Sequence, residues 1–84
     1  MKWALILTNP ARRALRDVPR ADIDQIDAVF EQMRANPYSD IRFLKGADRA
    51  LRRRIGSWRI LFEVHADREI VLILDLGRRS STTY

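Results

Sequence analysis

The sequence predicts an α+β fold: an N-terminal strand, a helical hairpin, then an antiparallel three-stranded meander, with both helices on one face of a single sheet. Three observations carry that expectation. A short apolar run, Lys2 to Leu7, stops at Thr8-Asn9-Pro10. Between Ala11 and Met33 the apolar residues recur at three- and four-residue steps. From Ala50 onward the pattern becomes strand-like and is broken at Gly56-Ser57 and at Ala66–Arg68. With 84 residues, the chain is expected to form one domain over positions 1–84, near the small end of what folds alone.

The first run reads as a buried strand. Asn9 suits an N-cap and Pro10 the first helical position, because proline has no N–H to leave unsatisfied there. The first helix then runs to about Asp17, since Pro19 disfavours helical geometry at Val18. A second helix is expected from about Arg20 to Ala35. Ile23, Ile26, Ala28, Val29, Phe30 and Met33 form its apolar stripe, Asp22 and Asp24 complement its dipole, and Asn36-Pro37 stops it. Between Pro37 and Asp48 the pattern is mixed: Ile41, Phe43 and Leu44 could pack under a loop, and Gly46-Ala47-Asp48 resembles a turn. Gly56-Ser57 fits a two-residue hairpin with glycine first, the type II′ pattern. The strand from Ile70 to Leu76 begins with five apolar residues in a row, so it belongs in the middle of the sheet.

Charge narrows the choice of partners. The formal net charge is +5, and most acids lie in the first half, at Asp17, Asp22, Asp24, Asp27, Glu31 and Asp40. The C-terminal half is the basic one, which points to a polyanionic partner. The chain has no cysteine, so disulfides and thiolate metal sites are excluded and a reducing cytoplasm is the natural setting. The N-terminal apolar run is too short for a secretion signal, and no segment approaches the roughly 18 apolar residues of a membrane span. A soluble protein without a membrane partner is expected.

The stretch LRRRIGSWRILFEV, Leu51 to Val64, holds the sharpest signal. Folding it at Gly56-Ser57 sets Ile55 opposite Trp58, Arg54 opposite Arg59 and Arg52 opposite Leu61. Side chains alternate between the faces of a strand. Leu51, Ile55, Trp58, Ile60, Phe62 and Val64 then face the helices, and Arg52, Arg54 and Arg59 share the uncovered face. Like charges across strands cost a few tenths to about 1 kcal/mol, while guanidinium is well suited to bidentate phosphate binding. The cluster therefore reads as an anion seat; solvated side chains lying across an open face are the simpler alternative. Arg53 breaks the pattern, because it falls on the core face. Either its head reaches water near a sheet edge or the strand carries a bulge.

With this hairpin and the tail Arg78-Arg79…Tyr84 in view, the chain resembles the RelE/ParE superfamily of toxins. The shared features are alternating basic residues (Arg52, Arg54), a glycine turn (Gly56), an aromatic–arginine pair (Trp58-Arg59), an apolar strand, then Arg79 and a tyrosine, Tyr84. Phe43-Leu44-Lys45-Gly46 is similar to the family's element preceding the hairpin. The resemblance implies a type II toxin with a small acidic antitoxin as partner. RelE-like members act on mRNA at the ribosome, by attack of a ribose 2′-OH on the neighbouring phosphate; ParE-like members inhibit DNA gyrase without catalysis. For the RelE-like activity, favoured here, it implies catalytic roles for Arg52, Arg54, Arg59, Arg79 and Tyr84, RNA-binding roles for Lys45 and Arg78, and no cofactor or metal. A non-enzymatic RNA-binding module is a third reading.

The remaining chemistry-bearing residues have structural readings. His65 is the only histidine and reads as a solvated turn residue, not a metal ligand. Trp3 and Trp58 read as core. Glu63 and Asp75 read as charge partners for arginines.

Overall fold

The computed structural model describes residues 3–38, 42–43 and 50–78, the two-residue segment by its backbone alone. The elements are β1 (Ala4–Leu7), α1 (Asn9–Arg16), α2 (Arg20–Ala35), β2 (Arg42–Phe43), β3 (Leu51–Ile55), β4 (Trp58–His65) and β5 (Ile70–Arg78). The strands form one sheet in the order β1-β5-β4-β3-β2. Strand β1 pairs parallel with β5, and every other pairing is antiparallel. The α+β expectation holds, with β2 added at one edge.

The second helix covers the expected residues. The first differs in its cap: Thr8, not Asn9, is the N-cap, and its side-chain oxygen accepts from the Ala11 N–H at 3.3 Å. Threonine wins because its hydroxyl also has a tertiary partner, donating to the Leu74 carbonyl at 2.9 Å. The Thr8 N–H donates to the Ile73 carbonyl at 3.0 Å. One residue therefore joins the start of α1 to the middle of β5. Strand β1 is less buried than expected. It forms a sheet edge on which Ala4 and Ile6 are exposed and Leu5 and Leu7 are half-buried.

The core lies between the helices and one sheet face. The helices contribute Ala11, Ile26, Val29, Phe30 and Met33, and the link between them Val18. The sheet supplies Leu51, Ile55, Trp58, Ile60 and Phe62 from β3 and β4, and Val71, Ile73 and Leu76 from β5. The last three are not evenly spaced. Leu61 pairs with Asp75 and Phe62 with Ile73, so β5 carries one extra residue, Leu74. This β-bulge reverses the alternation for the rest of the strand. Without it Asp75 would point into the core; with it Leu76 fills the core and Asp75 is exposed. The Thr8 hydroxyl is bonded to the carbonyl of that extra residue.

Arg53 is resolved by neither sequence alternative. The β3–β4 register is unbroken from Leu51↔Phe62 to Ile55↔Trp58, so β3 pairs with β4 without a bulge. On its other side β3 is flanked by β2 only at Leu51 and Arg52 among the described residues, so Arg53 does lie next to a sheet edge, yet its head does not reach water. Arg53 is only 6% exposed, and its Nη2 donates to the Gln32 side-chain oxygen on α2. The guanidinium bridges helix and sheet through a neutral amide whose own residue is exposed.

Candidate anion-binding site on the open sheet face

Gly56 has φ of +54°, and no positive φ occurs at Ser57. This matches the type II′ requirement of positive φ at the first turn position only. The tight turn sets the register that gathers the arginines: Arg54↔Arg59 and Arg52↔Leu61 are direct partners, as the sequence predicts. The bulged β5 extends both rows. One reads Arg52, Leu61, Asp75 across the sheet, and the next reads Arg54, Arg59, Gly77. On the other side of β3, Arg42 lies at the position beside Arg52. Sequence reasoning missed that placement, because the two residues of β2 carry too little pattern to announce a strand.

Between the rows lies a cleft of ≈ 250 Å³ lined by Arg52, Arg59, Leu61, Asp75, Leu76 and Gly77. Arg52 and Arg59 are half-buried and Arg54 is exposed. The Arg52 Nε is buried with no hydrogen-bond partner among the described residues. A buried donor left without a partner costs about 1–3 kcal/mol. Asp75 Oδ1 accepts the Leu76 N–H at 2.8 Å, which holds its carboxylate at the cleft rim. A half-buried leucine between guanidinium groups, with a carboxylate at one edge, gives the cleft an apolar floor and both signs of charge on its walls.

Arg78 is elsewhere. It pairs in register with Trp58, on the helix-facing side, because the bulge has shifted its phase. Its guanidinium carbon sits 5.0 Å from the centre of the Trp58 ring. Its Nη2 lies 3.7 Å from Asp22 Oδ2, the same oxygen that accepts the Trp58 Nε1–H at 3.0 Å. Asp22, Trp58 and Arg78 thus tie the first turn of α2 to the end of β5. Trp58 is buried, as expected, and its ring carries a cation on one face. Lys45, Arg79 and Tyr84 lie outside the described residues.

At the far end of the open face, His65 Nε2 is 2.9 Å from Glu63 Oε1, both half-buried. The expected solvated histidine is therefore held by a carboxylate two residues away on its own strand. No group of three or more candidate metal ligands occurs among the described residues. No helix among them is long and apolar enough to cross a membrane.

Comparisons with known proteins bear on this geometry. The family described as the ParE toxin of the type II toxin–antitoxin system matches residues 5–82. A protein of Methanocaldococcus jannaschii described as a candidate toxin, RelE1, is 30% identical over 83 residues, covering 94% of this chain and 92% of that protein. The fold is similar to the RelBE2 toxin–antitoxin complex of Mycobacterium tuberculosis, with a TM-score of 0.85 at 20% identity over 94% of this chain and 100% of that one. It is also similar to the isolated RelE toxin of E. coli, with a TM-score of 0.84 at 13% identity over 95% and 87% of the two chains. An archaeal RelE–RelB complex from Pyrococcus horikoshii gives a TM-score of 0.83 at 20% identity over 98% and 100%. The structural likenesses speak for the fold and the family match for kinship: the chain is a toxin of a type II toxin–antitoxin system and belongs to the RelE/ParE family.

Proposed function

We propose that this toxin is an mRNA endonuclease that works on the ribosome and so arrests translation. The observation supporting this reading is the pair of cross-strand rows that sets Arg52 and Arg59 on one cleft, with Arg54 paired to Arg59 beside it. Diagonal neighbours on a sheet are about 7–8 Å apart at the backbone, a separation that long arginine side chains span with their heads over a single phosphate. In the reaction a ribose 2′-oxygen gives up its proton and attacks the adjacent phosphorus. The bond to the 5′-oxygen breaks, that oxygen gains a proton, and a 2′,3′-cyclic phosphate remains. Negative charge on the phosphoryl oxygens grows toward the pentavalent transition state, so fixed guanidinium groups stabilise it more than the ground state.

Guanidinium groups keep their charge at neutral pH, so these residues act by electrostatics and positioning, not as bases. Arg79 and Tyr84 join the proposal from the sequence, as a further cation and as a group that stacks on a base or orients the 2′-OH. Lys45 is retained as an RNA contact. Arg78, placed against Trp58 and Asp22, supports the end of β5 instead of the substrate.

A RelB-type antitoxin is the partner we propose in the resting cell. The solved relatives include RelE–RelB complexes, and a toxin of charge +5 is suited to an acidic partner. The setting is the cytoplasm, where ribosomes are.

The family match to ParE favours a second reading, inhibition of DNA gyrase without catalysis. Induced expression followed by pulse labelling and mapping of mRNA ends separates the two. The endonuclease reading expects translation to stop within minutes, with cuts at fixed positions within codons. DNA damage with intact mRNA would overturn it in favour of gyrase.

A further inference from the structure

Gly77 is the residue in the cleft that the phosphate reading does not explain. Glycine inside a strand is destabilising relative to alanine, and it is usually kept for positive φ or for a close backbone approach. Neither applies here. Gly77 does not have a positive φ, and a Cβ built on it would meet nothing within 4 Å. What its missing side chain provides is open space directly across from Arg59. Beside that space lie Leu61, apolar and half-buried, and the Asp75 carboxylate, turned to this face by the Leu74 bulge. The volume of ≈ 250 Å³ falls just below the roughly 300–1,000 Å³ usual for ligand clefts, a size that accommodates one nucleotide unit.

We propose that Gly77, Leu61 and Asp75 form a seat for the nucleoside attached to the phosphate held by Arg52 and Arg59. This rests on the phosphate-binding reading above and adds a second subsite to it. Sugar and base lie over Leu61 and the bare backbone of Gly77. The guanidinium plane of Arg59 offers a stacking surface, as arginine does for unstacked bases. Asp75, whose Oδ1 is steadied by the Leu76 N–H, accepts hydrogen bonds from the donors of the nucleoside, its ribose hydroxyl or its exocyclic amine. The arginines alone would bind any phosphate; the seat makes the ligand a nucleotide.

The test uses the full chain with two probes: inorganic phosphate, followed by the NMR shifts of arginine Nε–H groups, and an RNA trinucleotide made uncleavable by 2′-deoxy substitution at its first and central sugars, followed by titration. In Gly77→Val the trinucleotide should bind at least ten-fold more weakly, while the response to phosphate stays that of wild type. Gly77→Ala, which adds one methyl to open space and keeps the fold under milder change, should show the same ordering at smaller size. Asp75→Asn should weaken the trinucleotide and not phosphate. Trinucleotide binding unchanged in both glycine variants but lost in Arg59→Ala would overturn the seat and leave the phosphate reading standing. Failure of wild type to bind either probe would overturn both.

Discussion

Removing the Thr8 hydroxyl should cost about twice what loss of an N-cap ordinarily does. That oxygen accepts the Ala11 N–H at 3.3 Å and donates to the Leu74 carbonyl at 2.9 Å, 66 residues away in sequence. Loss of a threonine cap costs about 1 kcal/mol. Loss of the tertiary hydrogen bond adds about another 1 kcal/mol. Thr8→Ala should therefore destabilise by roughly 2 kcal/mol. For a domain of this size each kcal/mol shifts Tm by about 4–8 °C, so a fall of about 8–16 °C is expected. Thr8→Ser keeps both hydrogen bonds and should stay within about 0.5 kcal/mol of wild type. Urea unfolding followed by circular dichroism measures both variants. A Thr8→Ala protein as stable as wild type, or a Thr8→Ser protein as unstable as Thr8→Ala, would refute the idea that this hydroxyl joins α1 to the β5 bulge. The consequence reaches the cleft, because the bulge is what presents Asp75 and Gly77 to the open face.

Two further outcomes follow from the same geometry. Gln32→Leu should destabilise by about 1–3 kcal/mol, since it takes an acceptor from the buried Arg53, whereas Arg53→Met removes the buried charge itself and should be close to neutral; chemical denaturation of both variants gives the order, and the reverse order would contradict the bridge. Arg59→Ala should lower the slope of log affinity against log salt for single-stranded RNA by about 0.7, the value for one lost phosphate contact; an unchanged slope would remove Arg59 from the phosphate seat.

Much of this architecture is legible in local chemistry. The second helix is bounded by Pro19 and by Asn36-Pro37, which act over one or two residues, and it spans Arg20–Ala35 as its stripe predicts. The β3–β4 register follows from Gly56-Ser57, since a two-residue turn leaves no freedom in pairing. What the sequence hides is non-local or featureless. The parallel pairing of β1 with β5 joins the two ends of the chain, and no turn residue marks it. The bulge at Leu74 lies in the apolar run Ile70–Leu74, where every position is compatible with either face and the change of phase leaves no trace. That hidden step explains why Arg78 reads as a companion of the arginine patch yet lies against Trp58 and Asp22. It also explains why Asp75, read only as a charge partner, lines the cleft. Arg53 reads as an anomaly because its partner, Gln32, is on the exposed side of a helix whose apolar stripe draws attention elsewhere.

The central claim is that the open arginine face cleaves RNA. Its most direct test is purified toxin added to ribosomes carrying a defined mRNA in the A site, with the RNA ends identified chemically. The account predicts a 2′,3′-cyclic phosphate and a 5′-hydroxyl at the cut, no cleavage when the sugar on the 5′ side of the cut is 2′-deoxy, and a loss of at least a hundred-fold in rate in Arg59→Ala, equivalent to about 2.7 kcal/mol of transition-state stabilisation. Intact mRNA under these conditions, together with inhibition of purified gyrase by the same preparation, would contradict it.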